Sequence, residues 1–284
     1  MKIVTFSKNL LQKLLPQRIV KFYKKRKPRK LLRFELPVTY HCNLNCKSCG
    51  HCCPLAKEHF QDVEALERDF KRLSQLSKRQ IELVSLMGGE PLLHPQLIDI
   101  MCMARSYFNG KIIIVTNGIL LLKQSEEFWK ACHGNNIDIE MSFYPINVDV
   151  EKIVETAKNY DVSFICRREK SGKQLPWYQA NKDVDGRQNI SKNFTNCSIA
   201  NQIITLDKGR LYTCGTPNHY RRFNSYFGDT FEISPKDSID IYEAKNLKEI
   251  MKFLSRPIPF CRYCKHWEAI EWGLSKREMS EWVH

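Results

Sequence analysis

The chain has 284 residues, 12 cysteines and a formal charge of +14 from 45 basic and 31 acidic side chains. That length suits one substantial core with a small annex, and it is too long for a secreted scaffold stapled by disulfides. No signal peptide is present, and no apolar run reaches the roughly 18 residues that a membrane-spanning helix needs.

The charge is uneven. Residues 1–33 hold twelve Lys or Arg and no acid, and the rest of the chain is close to neutral. In this leader Leu10, Leu11, Leu14, Leu15, Ile19, Val20, Phe22 and Tyr23 recur at helical spacing, interrupted by Pro16, before a basic run at 24–30. A basic amphipathic helix of this kind can cap the body, lie on an anionic membrane surface, or bind RNA or an acidic partner. The capping reading ranks first and nucleic acid last.

The body opens with a strand that leads into HCNLNCKSCG, where Cys42, Cys46 and Cys49 are separated by three residues and then two. Three thiolates so close can hold three irons of a cubane and leave the fourth without a protein ligand. An open metal position marks a reactive site, a closed one a structural site. Taken alone, the run also fits a partial zinc site or clustered core cysteines.

A helix at 63–76 precedes an apolar strand at 81–87, which ends at Gly88-Gly89-Glu90-Pro91. This reads as a tight turn where backbone approaches a ligand. A second apolar strand at 112–115 ends at Thr116-Asn117-Gly118. A helix at 126–132, a strand ending near Ser142 and a strand at 162–166 follow. Strand alternating with helix predicts an α/β fold with a parallel sheet. Chemistry in such sheets collects at the carboxyl ends of the strands, so the cysteine loop, the two glycine turns and Ser142 should converge.

The stretch 170–192 is polar and aromatic, with Pro176-Trp177-Tyr178, and reads as a loop able to close over a substrate. Strands at 203–206 and 210–213 flank Asp207-Lys208-Gly209 as a hairpin. That hairpin would bring Cys197 and Cys214 to one side. Cys261 and Cys264 can complete a four-thiolate site for zinc or an iron–sulfur cluster. A helix near 247–254 and a short amphipathic tail at 273–284 finish the chain.

The three-cysteine loop, GGEP and TNG, in this order across roughly residues 36–168, resemble the radical S-adenosylmethionine (SAM) superfamily. The resemblance implies a partial (β/α)6 barrel with a [4Fe-4S] cluster on Cys42, Cys46 and Cys49. SAM would chelate the open iron through its amino and carboxylate groups, and its reductive cleavage would give a 5′-deoxyadenosyl radical that abstracts hydrogen. By the same resemblance Gly88, Gly89 and Glu90 hold the methionine amino group, and Thr116, Asn117 and Ser142 lie near the ribose or carboxylate. Arg167 and Arg168 are further candidates for the carboxylate. Ser48 stands where the family usually has an aromatic residue against adenine, which shifts that contact to residues such as Tyr40 or His51.

The pattern C-x11-G-x4-C from Cys197 to Cys214, with the distant Cys261-x2-Cys264, resembles the twitch domain, a shortened SPASM domain. It implies a second, auxiliary [4Fe-4S] cluster on these four cysteines. The spacing is most similar to that of twitch-type dehydrogenases acting on aminocyclitols. The expected organisation is a leader at 1–33, a radical SAM core at 34–190, a twitch/SPASM-like domain at 191–272 and a tail at 273–284.

The expected function is hydrogen abstraction from a small polar substrate, sugar- or aminocyclitol-like, by a dehydrogenase whose auxiliary cluster accepts an electron. Peptide modification and epimerisation are the alternatives, with Cys52, Cys53 or Cys166 as hydrogen donor in the last. A non-catalytic metal protein on RNA or membrane ranks below both. His41, Asp62, His94, Glu140, Tyr144, Arg221 and Arg222 are acid–base candidates, none singled out. Cys102, Cys132 and Cys166 read as small core residues. The resemblance implies a flavodoxin or ferredoxin as electron donor. The many thiols imply a reducing cytoplasm, with contact at the inner membrane surface through the leader as a further expectation.

Overall fold

A computed structural model describes residues 33–169 and 171–283. The leader expectations therefore lie outside the described residues, save at Arg33. Strands β1 (Arg33–Pro37), β2 (Leu83–Met87), β3 (Lys111–Thr116), β4 (Ile137–Ser142) and β5 (Phe164–Arg167) run parallel in the order 5-4-3-2-1. Helices α1 (Val63–Ser77), α2 (Leu97–Tyr107), α3 (Glu126–Gly134) and α4 (Val150–Asn159) provide the crossovers. Each expected strand and helix of this half forms within a few residues of its sequence position. The α/β architecture matches a partial barrel.

The sheet has two unlike faces because side chains alternate along a strand. Phe34, Leu36, Val84, Leu86, Ile112, Ile114, Ile137 and Ile139 point one way and merge with helical residues such as Phe70, Leu73, Ile100 and Phe128 in one core. The intervening residues form the concave face. There Glu35 is in register with Ser85 on β2, and Ser85 with Ile113 on β3.

The hairpin expected at 203–213 is present as β7 (Ile204–Asp207) and β8 (Arg210–Tyr212). Lys208 and Gly209 turn with φ of 48° and 71°, the left-handed geometry of a two-residue hairpin loop. Strand β7 pairs in parallel with β1, so the hairpin continues the main sheet, and β9 (Ser238–Asp240) extends it. Asp69 of α1 fastens the turn by accepting hydrogen bonds from Gly209 N (2.7 Å) and Tyr242 Oη (2.6 Å).

The stretch read as a closing loop at 170–192 holds a strand instead. Here β6 (Trp177–Lys182) pairs antiparallel with β10 (Cys264–Ile270) as a separate ribbon. Its sequence is polar because only part of the ribbon is covered: Gln179, Asn181 and Lys182 are buried and Tyr178 is exposed. Helices α5 (Ile190–Asn196), α6 (Thr216–Phe227) and α7 (Leu247–Leu254) complete the fold. Tyr220, Phe223, Phe231, Phe260 and Trp282 form a second, aromatic core with Cys52, Cys214 and Cys261. Cys132 is buried and Cys166 half-buried, but Cys102 is exposed beside Asn135 rather than in the core.

Asp62, one of the acid–base candidates, caps α1: its Oδ1 accepts from Ala65 N at 2.7 Å. Asp62→Ala should therefore lower unfolding free energy by about 1 kcal/mol in denaturant titrations. An unchanged midpoint would remove the capping role.

Candidate functional site

The carboxyl ends of β1 to β4 open into a cavity of about 420 Å³. Cys42, Cys46 and Cys49 line it, together with Gly88, Gly89, Thr116, Asn117 and Ser142. The structure thus brings these predicted residues to one place. Glu90 is the exception. It is fully buried, does not line the cavity, and spends its carboxylate on three donors: Leu92 N (3.1 Å), Thr116 Oγ1 (2.7 Å) and Asn117 N (2.9 Å). It ties the GGEP turn to the TNG turn.

The glycines permit a close passage of backbone. Gly89 N donates to Thr39 O (3.2 Å) and Glu90 N to His41 O (3.1 Å), which lays the turn against the start of the cysteine loop. A Cβ on Gly89 would fall onto the His41 carbonyl, and one on Gly88, whose φ is 150°, onto the Thr39 carbonyl. Asn117 continues the contact: its Nδ2 donates to Asn43 Oδ1 (2.7 Å) and lies 3.6 Å from Cys42 Sγ.

The end of the chain fastens the other side of the cysteine loop. Lys47 N donates to Gly273 O (2.8 Å), Ser275 N to Asn45 O (2.8 Å) and Trp282 Nε1 to Cys49 O (2.8 Å). Trp177 Nε1 of β6 donates to Lys47 O (2.7 Å). The segment expected as a simple tail is therefore part of the site.

Burial pushes the Cys42 and Cys46 thiols up to about 12. Cys49 moves the other way, down to about 7, because the Cys53 thiol donates to its sulfur. The donor set suits a cluster: soft sulfurs on one loop, with Leu44 N 3.3 Å from Cys42 Sγ to support a thiolate. Burial raises the Cys214 thiol, and the charges of Cys264, Cys261 and Cys197 nearby add to the rise. Among the described residues no three His, Cys, Asp or Glu side chains come within reach of one metal ion.

Several other candidates serve the scaffold. Tyr40 is off the cavity, its Oη held by both oxygens of Asp207 (2.8 Å each) under the Arg222 guanidinium. His51 does line the cavity; its Nδ1 meets Gly88 O at 3.0 Å and its ring stacks on His219. Arg167 pairs with Glu140, and neither it nor Arg168 lines the cavity. His41 accepts from His59 N, His94 contacts Gln61 O, and Arg222 Nε donates to His51 O. Arg221 borders a separate groove. Of the acid–base candidates, Tyr144 alone lines the cavity. Cys53 also lines it, and Cys52 is buried behind in the aromatic core.

Sequence reasoning missed Glu35, Lys182 and His219, all of which line the cavity. The signal for Glu35 was present: an acid between Phe34 and Leu36 in a buried strand. Desolvation raises its carboxyl to about 7, with Arg33 pulling weakly the other way.

Residues 36–163 match the family model described as the Radical SAM superfamily. A probable GTP 3',8-cyclase of Thermoplasma volcanium is 35% identical over 100 residues, 35% of this chain and 29% of that protein. The GTP 3',8-cyclase of Chlorobaculum tepidum is 29% identical over 108 residues, 37% of this chain and 32% of that protein. The chain thus spans about a third of the length of these curated relatives. The crystal structure of BtrN in complex with AdoMet and 2-DOIA superposes with a TM-score of 0.52 at 16% identity, over 82% of this chain and 92% of that one. At that identity the likeness is one of fold. No helix among the described residues is long and apolar enough to cross a membrane.

Two outcomes are expected. Gly89→Ala should abolish SAM binding while leaving a folded chain, read by equilibrium dialysis beside circular dichroism; retained affinity would mean the turn can shift. In ligand-free protein the raised Glu35 carboxyl favours folding only while protonated. Its contribution is complete below about pH 4.5 and is lost as pH rises through about 7. Glu90, also raised to about 7, adds a decline of the same sign. Glu35→Gln should therefore gain stability relative to wild type across that window, by at most about 3 kcal/mol. A pH-independent difference in chemical denaturation would refute this.

Proposed function

We propose that this chain, whose residues 36–163 form a radical SAM superfamily domain, cleaves SAM reductively and oxidises a small polar substrate as a dehydrogenase. A radical SAM domain implies SAM and a SAM-binding [4Fe-4S] cluster. In this reading Cys42, Cys46 and Cys49 hold that cluster, and Cys197, Cys214, Cys261 and Cys264 hold a second. When bound, the first supplies the electron that cleaves SAM and the second a one-electron acceptor.

The chain's own groups would then do the rest. Gly88 and Gly89 let the turn lie against the cysteine loop and so would present their backbone to the methionine end of SAM. Asn117 and Ser142 present polar groups to the carboxylate or ribose. The aromatic walls from Tyr144, Trp177 and Trp267 keep water from a reactive radical.

The observation that carries this reading is the shared cavity. The cysteine loop lines one wall, while Lys182, Thr216, His219 and Tyr220, from beyond the matched domain, line another. Tyr220 feels the charges of Cys52 and Cys264, which connects the cavity wall to the second cysteine group although none of those four cysteines lines the cavity. The volume suits a small molecule. BtrN, similar in fold, was crystallised with AdoMet and 2-DOIA, in keeping with such a substrate.

Anaerobic reconstitution should yield about eight irons per chain. Cys214→Ala should fall to about four while still forming 5′-deoxyadenosine from SAM under reduction, and Cys49→Ala should form none. A wild-type protein holding about four irons and one zinc would remove the electron acceptor, and the dehydrogenase reading with it.

A further inference from the structure

The concave face of the sheet carries a polar group that the SAM-binding turns do not use. Glu35 on β1 is in register with Ser85 on β2 and with Thr205 on β7, so the three rise side by side from one face. Ser85 and Thr205 are 0% exposed, and neither hydroxyl has a hydrogen-bond partner among the described residues. Glu35 is 8% exposed and lines the floor of the cavity. Among the described residues no ion pair or hydrogen bond engages its carboxylate.

Two cations are near, and neither answers it. Arg33 lies two residues back on the same face and its charge favours the ionised Glu35, yet among the described residues no hydrogen bond or ion pair joins the two, and the buried Arg33 Nε has no partner. Lys182 also borders the cavity, but its Nζ donates to Ala180 O (2.7 Å) and lies 5.2 Å from the Tyr220 ring centre. A desolvated carboxyl and two orphan hydroxyls in one patch disfavour folding, and such patches persist where a ligand completes them. The same cavity is lined by the aromatic side chains of Tyr144, Trp177, Tyr178 and Trp267. A carboxylate and aromatic rings lining one cavity suit a cation: the carboxylate pairs with it and the rings attract it. A neutral hydroxyl would leave Glu35 without an opposite charge.

We infer that Glu35 is the anionic anchor of the substrate subsite and receives a protonated amine of a small polar substrate. Ser85 and Thr205 flank it as positioning residues: their unpaired hydroxyls are donors that can turn to the carboxylate once it is charged and holds the amine. This assignment rests on the cavity being the SAM and substrate site, and it narrows the substrate class to amines, with amino-polyols the natural fit.

The test uses two probes that differ in one group, scyllo-inosamine and scyllo-inositol. Binding is measured by calorimetry on the cluster-loaded, SAM-bound full chain near neutral pH. Wild type should bind the amine roughly tenfold or more tighter than the polyol, the value of one charge-assisted contact. Glu35→Gln should erase that preference, and Thr205→Val should reduce it, with circular dichroism confirming that both variants fold. Equal affinities in wild type, binding of neither probe, or a preference that survives in Glu35→Gln overturns the assignment. The SAM-dependent shift of the wild-type reduced-cluster EPR signal reports separately on the underlying reading. If the shift is absent, both fail; if it is present without an amine preference, only the role of Glu35 fails.

Discussion

The carboxylate of Glu90 is the constraint on which the site depends. It is fully buried, yet it accepts from two backbone amides and one hydroxyl on two different turns. Its own backbone amide and carbonyl meet His41 O and Thr39 Oγ1 at the entry to the cysteine loop. One residue therefore sets three strand ends against one another. The bare glycines before it allow the close approach, and without those three donors the buried acid would be costly to keep.

Around that knot the sheet divides its labour by face. The outward face is aliphatic and is covered by helices α1 to α4, which fixes the strand order. The inward face is free to carry polar groups, because a cavity rather than a helix lies over it. The ribbon of β6 and β10 and helix α6 supply further lining residues to the same space. The cavity is built by two parts of the chain far apart in sequence, so a change in either part alters the same space.

Much of this was legible in the sequence, for physical reasons. Apolar runs such as 112–115 can only be buried strands when flanked by glycine turns, and the turns sit where the strands end. What was illegible depended on partners remote in sequence. Tyr40 looked free to meet a ligand, but Asp207 claims its hydroxyl. Arg167 looked free to clamp a carboxylate, but Glu140 on the adjacent strand neutralises it. The polar stretch 177–182 has no strand-like apolar alternation, and only its pairing with 264–270 makes it one. Glu35 shows in the sequence only as an acid within an apolar strand; its neighbours Ser85 and Thr205 come from strand pairing, which the sequence does not print.

The clasp on the cysteine loop has a consequence for how the protein is made. Trp282 holds Cys49 across 233 residues of sequence, and Asn45 is held by Ser275 in the same way. During synthesis the loop leaves the ribosome well before the residues that fix its shape. Such long-range contacts form late, since the chain between must already be compact. The loop that would carry the oxygen-sensitive centre is thus completed last, which leaves an interval after the sheet has formed when its thiols are still open to loading from outside.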